Sequence, residues 1–197
     1  MKKNALLSVY HKDGIVEFAK ELIDLGWNLF ASGGTARALS EAGLYVIDVS
    51  EIITMSTRKL LKDFSEQLPL TVDEFNESQK LIEKILSGAG KAILGHRVVT
   101  LSREVSAGIL AKAVEEDEKE LERLGIPWID LVCVDLYPIE KAITDPDATY
   151  ESVTEMTDIG GPTLLRAAAK GRRIVVCDPT DRWNVINWLR ADCPGNA

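Results

Sequence analysis

Two glycine-marked turns in this 197-residue chain carry groups able to hold an anion and move a proton. The first is Ser32-Gly33-Gly34-Thr35, placed directly after the apolar run Trp27 to Ala31 and before a helical pattern from about Ala36 to Ala42. A strand, a glycine turn and a helix start, in that order, present free backbone N–H groups and the positive end of a helix to an anion, with the Ser32 and Thr35 hydroxyls as further donors. The same residues also suit a tight βα turn with Thr35 as helix cap, since neither G-x-x-x-x-G-K-[ST] nor G-x-G-x-x-G is complete. The second stretch is Asp158-Ile159-Gly160-Gly161-Pro162-Thr163-Leu164-Leu165-Arg166-Ala167-Ala168-Ala169-Lys170. Its glycines allow a close backbone approach, Pro162 suits the first turn of a helix, and the Ala/Leu run propagates it. An acid enters this turn and a lysine leaves its helix. Side chains lean toward a helix N-terminus, so Lys170 is expected to reach back toward Asp158. The alternative is a capped core helix ending in a surface lysine.

Further polar groups cluster at the ends of apolar runs. Tyr10-His11-Lys12-Asp13-Gly14 follows the short buried strand expected over residues 4–9. Trp128 to Leu136 reads as the central strand and ends in Asp135-Leu136-Tyr137-Pro138; ligands of α/β sheets collect at strand ends, which places Asp135 and Tyr137 well for a site. Arg97 offers a fork for a bidentate grip on an anion, and Arg103 lies close by in sequence.

The elements that must position these groups alternate. Helical spacing runs from about Ile15 to Leu25, and strands are expected over 27–31, 44–49, 128–136 and 172–179, with a terminal helix over 183–190. This pattern predicts an α/β protein: a three-layer, mostly parallel sheet flanked by helices, in a single domain spanning 1–197. Residues from about 52 to 94 change character, becoming charged and helical, and read as an insert of two amphipathic helices over 56–68 and 71–86. Pro69 stops the first, and Thr71-Val72-Asp73-Glu74 has capping-box spacing for the second. A solvated face is the plain reading of that insert, with a lid or an oligomer contact as the alternative.

Composition narrows the partners. With 46% hydrophobic residues the chain can bury one substantial core, and a formal net charge of −8 argues against nucleic acid or an anionic membrane surface as a partner. Cys133, Cys177 and Cys193 form no C-x-x-C pattern, so neither a disulfide framework nor a metal site is expected, which suits a reducing cytoplasm. The opening MKKNALLSVYHKDG has too short an apolar run for a signal peptide or a membrane span.

Several separated segments together resemble one family, the inosine-monophosphate cyclohydrolase domain of the bifunctional purine-biosynthesis enzyme that also carries a formyltransferase. The segments are Ser8 to Ala19, Ser32 to Thr35, Arg97 to Leu101, Ala107 to Ala111, Asp135 to Pro138 and Asp158 to Lys170, in the family's order. The resemblance implies a methylglyoxal-synthase-like fold and closure of a formylated aminoimidazole carboxamide ribotide to inosine monophosphate, with loss of water. It implies no metal or organic cofactor, a purine ribonucleotide as the bound partner, a cytoplasmic location and a homodimer. By the same resemblance, Tyr10, His11, Lys12, Ser32, Gly33, Gly34 and Thr35 hold the nucleotide with Arg97, Thr100 and Asp135 nearby. Asp158 contacts the base or carboxamide, Lys170 passes the proton, and Tyr137 sits beside the reacting groups.

The chain also departs from that family. Val99 stands where the family has the lysine of its Arg-Val-Lys-Thr-Leu-His-Pro run, Ser102 and Arg103 replace the histidine and proline, Asp135 replaces an asparagine and His11 an aspartate. A preorganised oxyanion donor such as that lysine is worth on the order of 3 kcal/mol. Two expectations follow. Either the chain cyclises with Arg103, His96 or a residue of the insert in place of the lysine, or it keeps the nucleotide pocket as a binding or regulatory module of impaired activity. Methylglyoxal synthase itself is disfavoured by the Asp158 to Lys170 signature.

Overall fold

A computed structural model describes residues 3–69, 71–86, 98 and 100–191. Its strands are β1 (Asn4–Val9), β2 (Asn28–Ala31), β3 (Ile47–Asp48), β4 (Leu131–Asp135) and β5 (Ile174–Val176), paired in the order β3-β2-β1-β4-β5 with every pairing parallel. Alternation along the strands sorts their side chains into two cores, as a period of two requires. Ala5, Leu7, Val9, Leu29, Ala31, Leu131 and Cys133 face one side, and Leu6, Phe30, Val132 and Val134 face the other.

Helices cover both faces. On the first lie α1 (Ile15–Asp24) and α2 (Gly33–Glu41), through Ile15, Phe18, Leu22 and Leu39. On the second lies α3 (Ser50–Glu66), followed by α4 (Val72–Leu86), α5 (Arg103–Leu110) and α6 (Glu115–Leu124); Ile52, Val105 and Ile109 join that core. After β4 come two short helices, α7 (Ile139–Thr144) and α8 (Tyr150–Glu155). The next helix, α9 (Gly160–Lys170), packs Leu164 and Ala168 on the second face. A 3₁₀ turn, Pro179–Asp181, leads into α10 (Arg182–Arg190), which returns to the first face through Ile186. This is the three-layer α/β architecture expected from the alternation of elements.

Three boundaries differ from expectation. Leu44 to Val46 do not join the sheet, so β3 is an edge strand of Ile47–Asp48 alone, and Tyr45 is 83% exposed. The glycines Gly33 and Gly34 are themselves the first turn of α2, not a loop ahead of it. The insert begins earlier: α3 starts at Ser50, whose N–H and hydroxyl both bond Asp48 Oδ1, at 2.8 and 2.6 Å. β-branched Ile52, Ile53 and Thr54 are poor helix formers, yet Ile52 is 1% exposed, and its burial outweighs that preference. Hence α3 is an integral part of the second layer, packing on α4, α5 and α6. The capping box of α4 is present, with Thr71 N–H bonded to Glu74 Oε2 at 2.9 Å.

Candidate functional site

Strand order reverses direction between β1 and β4, since the chain builds outward from β1 to β3 and then crosses back to add β4 and β5. At such a point two crossovers leave in opposite directions and a crevice opens beyond the carboxyl ends of the strands. A cavity of about 390 Å³ lies there, lined by the ends of β1 and β4, the start of α2 and the turn from α8 into α9. Its size is within the range of small-molecule sites.

The floor is built by hydrogen bonds between distant segments. Ser8 Oγ and Ser32 Oγ are 2.7 Å apart. Thr35, 2% exposed, accepts from Val9 N–H at 3.0 Å and donates to Val9 C=O at 3.2 Å. Its hydroxyl pins α2 to β1, which corrects the expectation that it caps the helix, and the residue lines the cavity. Ser32 is the residue that enters α2, with extended backbone at φ −90° and ψ 141°. The N–H groups of Gly33 and Gly34 fall among the four that any helix leaves without a carbonyl at its start, and both residues line the cavity.

Asp135 is 7% exposed at the end of β4. Its Oδ1 accepts from Tyr10 N–H, and its Oδ2 lies 3.1 Å from His11 N and 3.2 Å from His11 Nδ1. The carboxylate holds Tyr10 and His11 in place, and Asp135 also lines the cavity, where the sequence placed it. His11 is turned onto that carboxylate and is not among the lining residues. Lys12 does line the cavity; its Nζ donates to Val9 C=O and, at 2.9 Å, to Tyr10 C=O, and its stem approaches Gly34. Burial pulls its pKa below the ordinary lysine value, with Asp135 opposing and Arg182 adding to the fall.

The opposite wall comes from the second glycine turn. Asp158 Oδ1 accepts from Gly161 N–H at 2.8 Å, so this acid caps the start of α9. Both glycines are needed for closeness: a Cβ on Gly160 would lie 2.6 Å from Thr100 Oγ1, and one on Gly161 would lie 2.6 Å from Leu136 Cδ2 and overlap the Asp158 carboxylate. Tyr137 stands at the rim, its ring 5.1 Å from that of Tyr10. Ser8, Thr154, Glu155 and Thr157 complete the lining and were not expected from the sequence. Ser8 lay unremarked within the first matched segment, and the other three precede Asp158 by up to four residues, a nearness to a singled-out motif that is the only local signal for them.

Besides His11, Lys170 and Arg103 also stay away from the cavity. Lys170 is exposed and ends α9, about 15 Å along the axis from Gly160. β5 begins four residues later, and its Ile174 pairs with Leu131, the first residue of β4, at the sheet edge opposite Asp135. A lean of one helical turn cannot close that distance, so within this chain Lys170 does not reach the cavity. Arg103 is on the surface, paired with Glu104 at 3.0 Å, and does not line the cavity either. Arg97, His96 and Val99, on which expectations were placed, lie outside the described residues. Among the described residues no group of three or more His, Cys, Asp or Glu side chains is arranged to hold a metal ion, and no helix is long and apolar enough to cross a membrane.

A parallel sheet with helices on both faces, and a glycine-walled cavity at its switch point, is accompanied by a direct family match: the model of the MGS-like domain covers residues 14–163. The chain belongs to the MGS-like domain family. Its relatives narrow that class. The bifunctional purine biosynthesis protein PurH of Caldicellulosiruptor saccharolyticus is 40% identical over 193 residues, which cover 96% of this chain and 31% of that protein. PurH of Ruminiclostridium cellulolyticum is 38% identical over 190 residues, covering 95% and 30%. The chain thus spans under a third of the length of these relatives. A crystal structure of ForH superposes with a TM-score of 0.67 at 30% identity, covering 98% of this chain and 82% of that one.

Proposed function

We propose that this chain closes the ring of a formylated aminoimidazole carboxamide ribotide to give inosine monophosphate. The single observation that carries the reading is the cavity itself: two helix starts, one at Gly33-Gly34 and one at Gly160-Gly161, face a single space that also holds Lys12, Tyr137 and Asp158. One end suits a phosphate, through backbone N–H groups and an ammonium. The other suits a reacting centre on which negative charge develops.

In the proposed step the carboxamide nitrogen attacks the formyl carbon, making a C–N bond and turning the formyl oxygen into an oxyanion. Asp158 takes the proton released from that nitrogen, and the Tyr137 hydroxyl supplies one to the oxyanion. The new hydroxyl then leaves as water with the proton of the formamide nitrogen, and a C=N bond remains. While charge is on oxygen, the Gly160 N–H and the adjacent Thr100 hydroxyl are the donors in place to stabilise it; this supplies a substitute for the lysine missing at Val99. No cofactor enters the step.

The experiment is direct. Purified chain is incubated with the formylated ribotide and inosine monophosphate is followed by chromatography. Formation above the uncatalysed rate supports the reading, and tight nucleotide binding without turnover would favour a regulatory module instead. The same reading carries a cytoplasmic, homodimeric protein, checked by fractionation and by light scattering.

A further inference from the structure

The fold places one charged side chain where local physics disfavours it. Asp178 Oδ1 accepts from Thr180 N–H at 2.8 Å and from its hydroxyl at 2.7 Å, which shapes the turn Pro179–Asp181 and delivers Arg182 to the first position of α10. A cation there opposes the helix dipole. Arg182 and Ile186, four residues apart, share the inward face, and Arg182 is only 3% exposed. Its Nη1 donates to Asp13 C=O at 2.7 Å, while Nε and Nη2 are buried with no nitrogen or oxygen partner among the described residues and the guanidinium lies against the Cys133 thiol. Replacing such a buried ion by an apolar side chain of similar size is often neutral or stabilising, so the core alone gives no reason for an arginine.

We propose that Arg182 is a positioning residue for the cavity: from beneath the turn Tyr10 to Gly14 it grips the Asp13 carbonyl and so presents Lys12 to the Gly33-Gly34 helix start. Asp135 holds the near end of that turn through the N–H groups of Tyr10 and His11, and Arg182 holds the far end. Lys12 lies between the two anchors, and its stem reaches Gly34. Both anchors are felt at its ammonium, Asp135 favouring the charged form and Arg182 disfavouring it. Cys133 on β4 is in the same field, its thiol raised by burial and drawn the other way by Arg182.

The test uses the full chain with Arg182→Met, which removes charge and donor, and Arg182→Lys, which keeps the charge and one donor. Two quantities are read: affinity for inosine monophosphate by calorimetry, and the titration of the Lys12 ε-methylene by NMR in lysine-labelled protein. Arg182→Met is expected to weaken binding at least tenfold and to move the Lys12 titration to higher pH, because a neighbouring cation is gone. Arg182→Lys is expected to stay within threefold of wild type with the titration unmoved. Should Arg182→Met fail to fold, Arg182→Gln takes its place, with the upward titration shift as the required result. An unmoved Lys12 titration, or wild-type affinity, in a folded neutral variant overturns the proposal. The ligand arm rests on the nucleotide reading; wild type that binds no inosine monophosphate defeats that reading while the Lys12 titration still decides this one.

Discussion

By the sequence resemblance, Asp135 and His11 stand where the cyclohydrolase family has asparagine and aspartate, and in the structure the two side chains meet. The Asp135 carboxylate accepts from three donors, Tyr10 N–H, His11 N–H and the His11 ring. Asp135→Asn replaces one acceptor oxygen by an NH₂ group that meets N–H donors, so at least one buried backbone donor loses its partner. That costs about 1–3 kcal/mol, or roughly 4–8 °C in Tm for each 2 kcal/mol in a chain of this size. His11→Asp alone sets two carboxylates about 3 Å apart, across the present 3.2 Å Nδ1–Oδ2 contact, and is also destabilising. Made together, the two changes let the introduced amide donate to the introduced carboxylate. Urea denaturation of wild type, both single variants and the double variant closes a cycle whose coupling is expected to favour the double variant by about 1 kcal/mol or more. An Asp135→Asn protein within about 0.5 kcal/mol of wild type, together with an additive cycle, would refute the assignment of this carboxylate as the anchor of the first turn.

The remaining predictions concern the cavity walls and the sheet. Gly161→Ala drives a methyl into Leu136 and the Asp158 carboxylate and is expected to lower kcat at least tenfold, with a stability loss of about 1–3 kcal/mol; urea melts and steady-state rates separate the two effects. Thr100→Val removes a proposed oxyanion donor and is expected to reduce kcat by about a hundredfold with KM little changed. Cys133 is a thiol raised by burial from 9.0 to about 11. The folded state therefore holds its proton more tightly, and that contribution is complete below pH 9 and lost as pH rises through 11. Two units correspond to roughly 2–3 kcal/mol, so wild type is expected to lose about that much more stability than Cys133→Val between pH 9 and pH 11. Lys170→Ala is expected to leave nucleotide affinity within twofold, because that residue sits at the opposite sheet edge.

How far the sequence disclosed this arrangement depends on the range of the physics involved. Period-two and helical spacing located β1, β2, β4, α1 and α10 to within a few residues, since burial of one face is written locally. The site turns were legible for the same reason, because a pair of glycines ahead of a helical run marks a tight turn. What failed was any inference about direction and partners. Lys170 was joined to Asp158 by nearness in sequence, whereas an eleven-residue helix carries its ends to opposite edges of the sheet. Thr35 and Asp135 line the cavity, yet each also satisfies backbone groups that lie 26 or about 125 positions away in the chain, partners no local pattern shows. Arg182 carried no signal, since nothing around it in sequence marks it as buried.

The central claim is that one nucleotide spans the space between the start of α2 and the start of α9. A crystal structure with inosine monophosphate tests it most directly. The phosphate is expected within hydrogen-bonding distance of Gly33 N–H, Gly34 N–H and Lys12 Nζ, and the base ring against Asp158, Gly160 and Tyr137. A nucleotide bound elsewhere, or with its phosphate on the α9 side of the cavity, would contradict it.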